Sequence, residues 1–230
     1  SKFLIDNFNL SDGKDFQKYA IGLKEVWEIQ EENFSEGLVE HSMGWPLSDG
    51  TNGGSFLYHF DHNLVSIGYV IHLNYTNPYA SPFDEFQQFK THPSVKKILK
   101  GGKRLSYGAR AITTGGYQSV PKLNFPGGAL IGCSAGFLNY PKIKGTHNAM
   151  ESGMLAAEAI IEKKINQDES NDLENYQLGY EKSRIFKELK KVRNVKPYQS
   201  RYGPLLGTLL SGFDMWLSTF GITMPFTLGH

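Results

Sequence analysis

The sequence has 230 residues, 40% of them hydrophobic, and a formal net charge of +1. This size fits one large domain or two small ones with a hydrophobic core, and the near-neutral charge gives no electrostatic basis for nucleic-acid binding. A single cysteine, Cys133, excludes a disulfide framework or a cysteine cluster built from this chain alone. The seven histidines show no helical metal-binding pair, so we predict no metal ligands.

The first half of the chain predicts an antiparallel sheet. Alternating or continuous apolar residues, bounded by turn formers, indicate strands, and the first four follow one another without a helix between them. Phenylalanines at helical spacing then predict a helix at 83–89, and a second short helix covers 94–100. The predicted strands span residues 19–29, 38–45, 55–60, 64–73 and 103–112.

The stretch 127–158 dominates the second half. It predicts a short buried strand from Ala129 to Gly132, a glycine-rich loop, and a helix that Thr146 caps. Free N–H groups and the positive end of the helix dipole favour a partly negative group at such a helix start. From the residues alone two interpretations stay open: the stretch binds a polar cofactor group, or its glycines only form a turn.

The C-terminal part predicts one long amphipathic helix at 173–192, followed by an apolar segment at 203–228. The apolar segment has about the length of a membrane span, but its glycines, its prolines and Asp214 disfavour a straight spanning helix. We predict an interfacial or re-entrant element; a buried core segment or a subunit contact is the alternative. The predicted membrane-contacting residues are Leu205, Leu206, Leu209, Leu210, Phe213, Trp216, Leu217 and Phe220.

The stretch Thr51–Gly54 predicts a loop. Glycine allows close backbone approach, so the N–H and C=O groups of Gly53 and Gly54 could bond a ligand carbonyl. On the residues alone, a β-turn before the next strand is the simpler interpretation.

Several long motifs, in the same order, resemble electron-transfer flavoprotein–ubiquinone oxidoreductases. They are YAIGLKEVWEI, HSMGWPL, GGSFLYHF, GGALIGCSAGFLNYPKIKGTHNAMESGMLAAEAI and FKELKKVRNVKP. The resemblance runs from about Tyr19 to the C-terminus and implies an α+β fold in three parts. These are a ubiquinone-binding domain with a mixed or antiparallel sheet (1–125), the final strand–loop–helix of an FAD/NAD(P)-binding-type fold (126–170), and an amphipathic helix with a membrane-associated hydrophobic segment (171–230).

The resemblance also implies which residues contact the cofactors. The loop would approach the ribityl and phosphate part of FAD, Asn139 would lie near the isoalloxazine, and the helix start would face the flavin O2 side. Gly53 and Gly54 would face the ubiquinone headgroup. Cys133 itself is expected to be a small buried residue rather than a redox group. The residues expected at FAD are Gly132, Cys133, Ser134, Gly136, Asn139, Lys144, Gly145, Thr146 and His147.

The implied activity is that of an FAD-dependent membrane oxidoreductase passing electrons from reduced electron-transfer flavoprotein to ubiquinone, with no catalytic side chain. The implied location is the matrix side of the mitochondrial inner membrane, or the bacterial cytoplasmic membrane, with peripheral or monotopic lipid contact. The family also carries a glycine-rich dinucleotide fingerprint and a four-cysteine 4Fe-4S cluster, neither of which this sequence contains. We therefore expect a fragment or a split subunit, inactive alone, whose partners supply these segments.

Two alternatives stay open at this stage. The chain is a non-catalytic structural or assembly subunit of a membrane complex derived from that family, or it belongs to another FAD-dependent oxidoreductase that uses the sheet as its substrate domain. A bound flavin whose absorbance is bleached by quinone favours the electron-transfer flavoprotein–ubiquinone oxidoreductase. Absence of flavin favours the structural subunit.

Overall fold

The computed structural model describes residues 1–47 and 50–229. The chain divides into two compact units. The sheet unit comprises Tyr19–Ile112, and the helical unit comprises Ser1–Lys18 together with Thr113–His230. The region predicted as one sheet domain, 1–125, thus contributes to both units, because the chain enters the sheet at Tyr19 and leaves it near Ile112.

The sheet unit contains a five-stranded sheet in the order β2-β3-β4-β1-β5. The pairs β1–β4, β2–β3 and β3–β4 are antiparallel, which confirms the prediction from the strand pattern. Adjacent strands β3 and β4 form the expected hairpin, because only three residues separate Phe60 from Leu64. The strands are β1 (Tyr19–Glu28), β2 (Val39–Met43), β3 (Gly53–Phe60), β4 (Leu64–His72) and β5 (Lys103–Thr113).

Two short helices pack in the sheet unit: α2 (Pro82–Lys90), against β1 and β4, and α3 (Pro93–Leu99), against α2. The Ser81 side chain accepts a hydrogen bond from the Asp84 N–H at 3.3 Å and so starts α2 at the proline that follows. The core of the unit joins the buried face of α2 to the central strands. Its fully or almost fully buried members include Val65, Ile67, Tyr69, Ile71 and Phe86.

The helical unit has its own core, built around α5, α6 and α7. Leu123, Phe137, Tyr176, Ile185 and Leu189 are each at most 1% exposed in it. Its elements are α1 (Lys2–Asn7), β6 (Asn124–Phe125), β7 (Gly128–Ala129), α4 (Gly132–Ala135), α5 (Thr146–Ile165), α6 (Glu174–Lys182), α7 (Arg184–Lys191) and α8 (Val195–Thr219).

A predicted strand and a predicted helix of the helical unit differ in detail from the structure. The strand expected from Ala129 to Gly132 ends at Ala129, and Gly132 instead begins α4, where its φ of +54° suits glycine. The helix expected over 173–192 is broken at Ser183, whose ψ of 168° is extended. In an unbroken helix Tyr180 and Ile185 would point about 140° apart; the break lets both reach the core.

Helix α8 is two helical arms rather than one rod. Gly203 has a non-helical backbone (φ 75°, ψ 179°), and Pro204 follows it. The arms fold back on each other: a Cβ added at Gly207 would lie 2.6 Å from the Gln199 Cα, and the Ser211 hydroxyl is 3.3 Å from the Val195 carbonyl. Glycine at 207 therefore permits the close packing of this hairpin.

Within residues 1–47 and 50–229, no helix is both long enough and apolar enough to cross a bilayer.

Candidate functional site

The turn that connects β7 to α5 is built on glycine. The Gly132 N–H donates to the Ser152 hydroxyl at 3.0 Å, which ties α4 to α5. A Cβ added at Gly132 would lie 3.0 Å from the Ala149 Cβ, a tight contact, and the positive φ of Gly132 would strain any larger residue. Gly136 ends α4 in the left-handed conformation (φ 83°). Both glycines are thus required by the backbone, as in turns that bring a main chain close to a ligand.

Helix α5 starts one residue earlier in the turn than the sequence predicts. Gly145 is the N-cap, and Thr146 is the first helical residue, so Thr146 does not cap the helix. Gly145 has no side chain to bond the first N–H groups, and of the described side chains none caps this end. The start of α5 therefore presents free backbone donors and the positive end of the helix dipole.

The exposure of α4 differs from the expectation for Cys133. Gly132 and Ala135 are buried on one side of the single turn, and Cys133 and Ser134 between them are exposed. The expected burial of Cys133 is wrong, because the short helix turns its middle residues outwards. A ligand lying over this turn would reach the Cys133 and Ser134 side chains.

Loop 139–144, between α4 and α5, is closed by a pair of backbone hydrogen bonds. The Asn139 N–H donates to the Lys144 carbonyl at 2.9 Å, and the Lys144 N–H donates back at 3.4 Å. The Asn139 side chain is fully buried, and its Oδ1 accepts from the Lys142 N–H at 3.2 Å. The buried Asn139 side chain therefore stabilises loop 139–144 by bonding its backbone.

Glu188, on α7, joins the candidate site and was not predicted from the sequence. Its Oε1 lies 2.5 Å from Asn139 Nδ2, 3.0 Å from His147 Nε2 and 3.3 Å from Lys142 Nζ. Burial raises the pKa of the Glu188 carboxyl, but these three partners outweigh burial, so the net pKa is below its usual value. The signal in the sequence was a lone acid in the basic stretch 187–191.

These features fit a flavin nucleotide. Phosphate or the electron-rich pyrimidine edge of a flavin suits free N–H donors at a helix start, and a glycine turn allows its close approach. In addition, the Asn148 Oδ1 is buried and meets no hydrogen-bond donor among the described residues. The predicted contacts from Gly132 to His147 lie in the helical unit, within one turn, one loop and one helix start.

Gly53 and Gly54 lie in β3, not in the loop that the sequence predicts. A Cβ at Gly53 would meet the Leu47 side chain and lie 2.7 Å from the Val70 carbonyl, and a Cβ at Gly54 would meet the Ser42 carbonyl. The Gly53 carbonyl accepts from the Gly44 N–H at 3.1 Å. Strand packing alone thus requires both glycines.

The second arm of α8, after Gly203, buries polar side chains and exposes apolar ones, the reverse of an ordinary surface helix. Its small and polar residues, Gly207, Ser211, Asp214 and Ser218, are buried. Its large apolar residues point outwards. We call this exposed set the apolar face of α8: Leu205, Leu206, Leu209, Phe213, Trp216 and Phe220, each at least 50% exposed. The predicted membrane residues Leu210 and Leu217 flank it and are half-buried.

Comparisons with known proteins give a consistent result. The family described as "ETF-QO, ubiquinone-binding" matches residues 19–112, the sheet unit. The mitochondrial electron transfer flavoprotein-ubiquinone oxidoreductase of Oryza sativa subsp. japonica is 52% identical over 232 residues, covering 100% of this chain and 39% of that protein. The Pseudomonas aeruginosa enzyme of the same name is 49% identical, covering 99% of this chain and 41% of its own length.

Among solved structures, a geranylgeranyl bacteriochlorophyll reductase-like protein from Thermoplasma acidophilum matches with a TM-score of 0.54. It is 17% identical, and the match covers 76% of this chain and 43% of that one, so it supports the mixed α and β fold alone. The chain spans about two-fifths of the length of the Oryza and Pseudomonas relatives, at about half identity. It therefore belongs, as a segment, to the electron transfer flavoprotein-ubiquinone oxidoreductase family.

Proposed function

We propose that this chain is part of an FAD-dependent oxidoreductase that passes electrons from reduced electron transfer flavoprotein to ubiquinone. The observation that carries the proposal is the uncapped start of α5 packed over the glycine turn at Gly132, in a chain that is 52% identical to an oxidoreductase of that name. Other segments of the whole protein would supply the dinucleotide fingerprint and the 4Fe-4S cluster.

In this function FAD supplies the chemistry, because a flavin can take up electrons singly and release them in pairs. The residues of this chain bind and orient it. Gly132 and Gly136 would admit the ribityl and phosphate part, and the exposed Cys133 and Ser134 would line that approach. The N–H groups at the start of α5 favour negative charge on the pyrimidine edge, which would stabilise the reduced cofactor.

The sheet unit would hold the ubiquinone headgroup, because residues 19–112 match a family of ubiquinone-binding domains. Gly53 and Gly54 remain our candidates for the contact. Their variants cannot test it, because strand packing already requires glycine at both positions. The amide chemical shifts of the two residues, followed by NMR while short-chain ubiquinone is added, provide the test.

The apolar face of α8 would contact lipid. Burying aromatic and leucine side chains in the acyl boundary is favourable, whereas their exposure to water is costly. Membrane contact would also give the protein access to its lipid-soluble substrate. Several relatives are named as mitochondrial, and we propose a peripheral or monotopic position at the mitochondrial inner membrane, on the matrix side.

The exposed Cys133 provides a direct test of the flavin site. We expect alkylation of Cys133, mapped by mass spectrometry in the whole protein, to be several-fold slower with FAD bound than after FAD removal. A Glu169→Cys reporter in an exposed loop should react equally in both states, and NAD should not protect Cys133.

Equal alkylation of Cys133 with and without FAD would contradict the assignment of this turn. The activity itself is tested by the flavin absorbance. Chemically reduced flavin in the whole protein should be reoxidised on addition of ubiquinone. A protein that binds no flavin would instead support the structural or assembly subunit.

A further inference from the structure

Glu188 brings together residues that the sequence keeps apart. Its Oε1 accepts from the Asn139 amide at 2.5 Å and from the His147 imidazole at 3.0 Å, 49 and 41 residues away along the chain. The Lys142 ammonium adds an ion pair at 3.3 Å. One carboxylate oxygen on α7 thus holds loop 139–144 and the first turn of α5.

We propose that Glu188 is the positioning residue of the candidate flavin site. Its carboxylate fixes loop 139–144 and the start of α5 in the arrangement that receives the cofactor. This inference rests on the proposed function, because Asn139 and the segment Lys144–His147 are the predicted flavin contacts.

The position of the carboxylate is set by the core rather than by the loop. On α7, Ile185 and Leu189 are 0% and 1% exposed, and Phe186 stacks edge-on against Tyr180 with ring centroids 5.6 Å apart. The Ser183 hydroxyl caps the start of the same helix. The core thus holds α7 in place, and α7 presents Glu188 to loop 139–144. The loop itself is held by short-range hydrogen bonds.

The loop depends on this acceptor. Asn139 is 0% exposed, so removal of Glu188 would leave its amide N–H group buried without this partner. Leaving a buried donor unsatisfied is destabilising, and the loss is larger here because the missing acceptor is ionised. The loop would relieve that cost by opening, and opening would also release the His147 side chain at the start of α5.

The experiment compares Glu188→Ala and Glu188→Gln in the whole FAD-containing protein. We expect Glu188→Ala to weaken FAD binding about tenfold or more, since 1.4 kcal/mol corresponds to a factor of ten. Amide hydrogen exchange in 140–147 should become faster, and the visible circular dichroism of bound FAD should change. Glu188→Gln keeps an acceptor for Asn139 and should lie between Glu188→Ala and the unchanged protein.

Glu169→Gln is the matched control, because it removes a carboxylate from an exposed loop of the same unit. It should leave FAD affinity and amide exchange unchanged. A double-mutant cycle with Asn139→Ala separates positioning from general stability. We expect the two losses of FAD affinity to be clearly less than additive, because both remove the same bond.

The inference is overturned if Glu188→Ala lowers the melting temperature but leaves FAD affinity, circular dichroism and exchange at 140–147 as they were. Additive losses in the cycle would also overturn it. If the unchanged protein binds no FAD, the proposed function fails, whereas the exchange of 140–147 still reports whether Glu188 holds the loop. The two failures are therefore distinguishable.

Discussion

At the scale of single residues, burial shifts the pKa of Lys196. Lys196, in the first arm of α8, is 2% exposed, and its ammonium lies 5.0 Å from the centre of the Tyr140 ring. Burial, with a smaller contribution from the nearby Lys18, lowers the pKa of Lys196 from 10.5 to about 7. The folded protein therefore binds this proton less tightly than the unfolded chain does.

This difference predicts a pH dependence of stability. Between about pH 7 and pH 10.5 the unfolded chain holds more protons at this position, so the contribution of Lys196 to stability rises with pH. Below about pH 7 the lysine is protonated in both states, and its contribution is constant and unfavourable. Lys196→Met should flatten the rise in melting temperature from pH 7 to pH 10.

Lys191→Met is the control, because it removes an exposed lysine from the neighbouring helix α7. Its melting temperature should follow the same pH profile as the unchanged protein. Parallel profiles for Lys196→Met and the unchanged protein would show that burial of Lys196 does not affect stability in this range.

At the scale of elements, α8 and the segment after it form one surface feature. Asn194 Nδ2 lies 3.4 Å from the buried Asp214 Oδ2, and Asn194 Oδ1 accepts from the Leu228 N–H at 2.9 Å. Arg193 donates to the Met224 carbonyl at 2.6 Å and to the Thr227 hydroxyl at 2.9 Å. These hydrogen bonds hold the segment after α8 against the residues that precede α8. The apolar face of α8 is therefore already formed in the folded protein.

We expect Leu209→Glu to reduce binding of the whole protein to phosphatidylcholine vesicles about tenfold or more in a flotation assay. Leu209 is 65% exposed at the middle of the apolar face, and burying a leucine contributes about 1.5–3 kcal/mol. Leu178→Glu, at a leucine on α6 that is 50% exposed, should bind vesicles normally. Equal flotation of the two variants would contradict lipid contact through α8.

At the scale of the whole molecule, each of the two units has its own hydrophobic core. Among the described residues, those that form the core of the sheet unit all lie between Ile21 and Leu99. Its central strand β4 is buried along most of its length. This organisation meets the usual conditions for a domain that folds independently.

Residues 19–112 produced alone should therefore unfold in one cooperative thermal transition, followed by near-ultraviolet circular dichroism of Trp27 and Tyr69. Ile67→Asp should abolish that transition, because it places a charge in a position that is 0% exposed. Leu105→Asp, on the exposed strand β5, should preserve it. A gradual, non-cooperative change in the unaltered fragment would mean that the sheet needs the rest of the chain.

Local patterns predicted most of the strand residues of the sheet, the hairpin at 61–63, the phenylalanine-bearing α2, and the order of glycine turn and helix from Gly127 to Glu158. These features depend on local periodicity and on turn residues, which act over a few positions. The exposed apolar segment was also visible in composition, since 203–228 carries one charge.

Which distant residues come into contact depends on the packing of the folded chain. It broke the predicted helix at Ser183, so that Tyr180 and Ile185 share one core, and it brought Glu188 to Asn139 and His147. It also turned the polar side of α8 inwards against Asn194. The physical reason is the same in each case: these contacts join positions fixed by the packing of separate helices, and no local pattern records that packing.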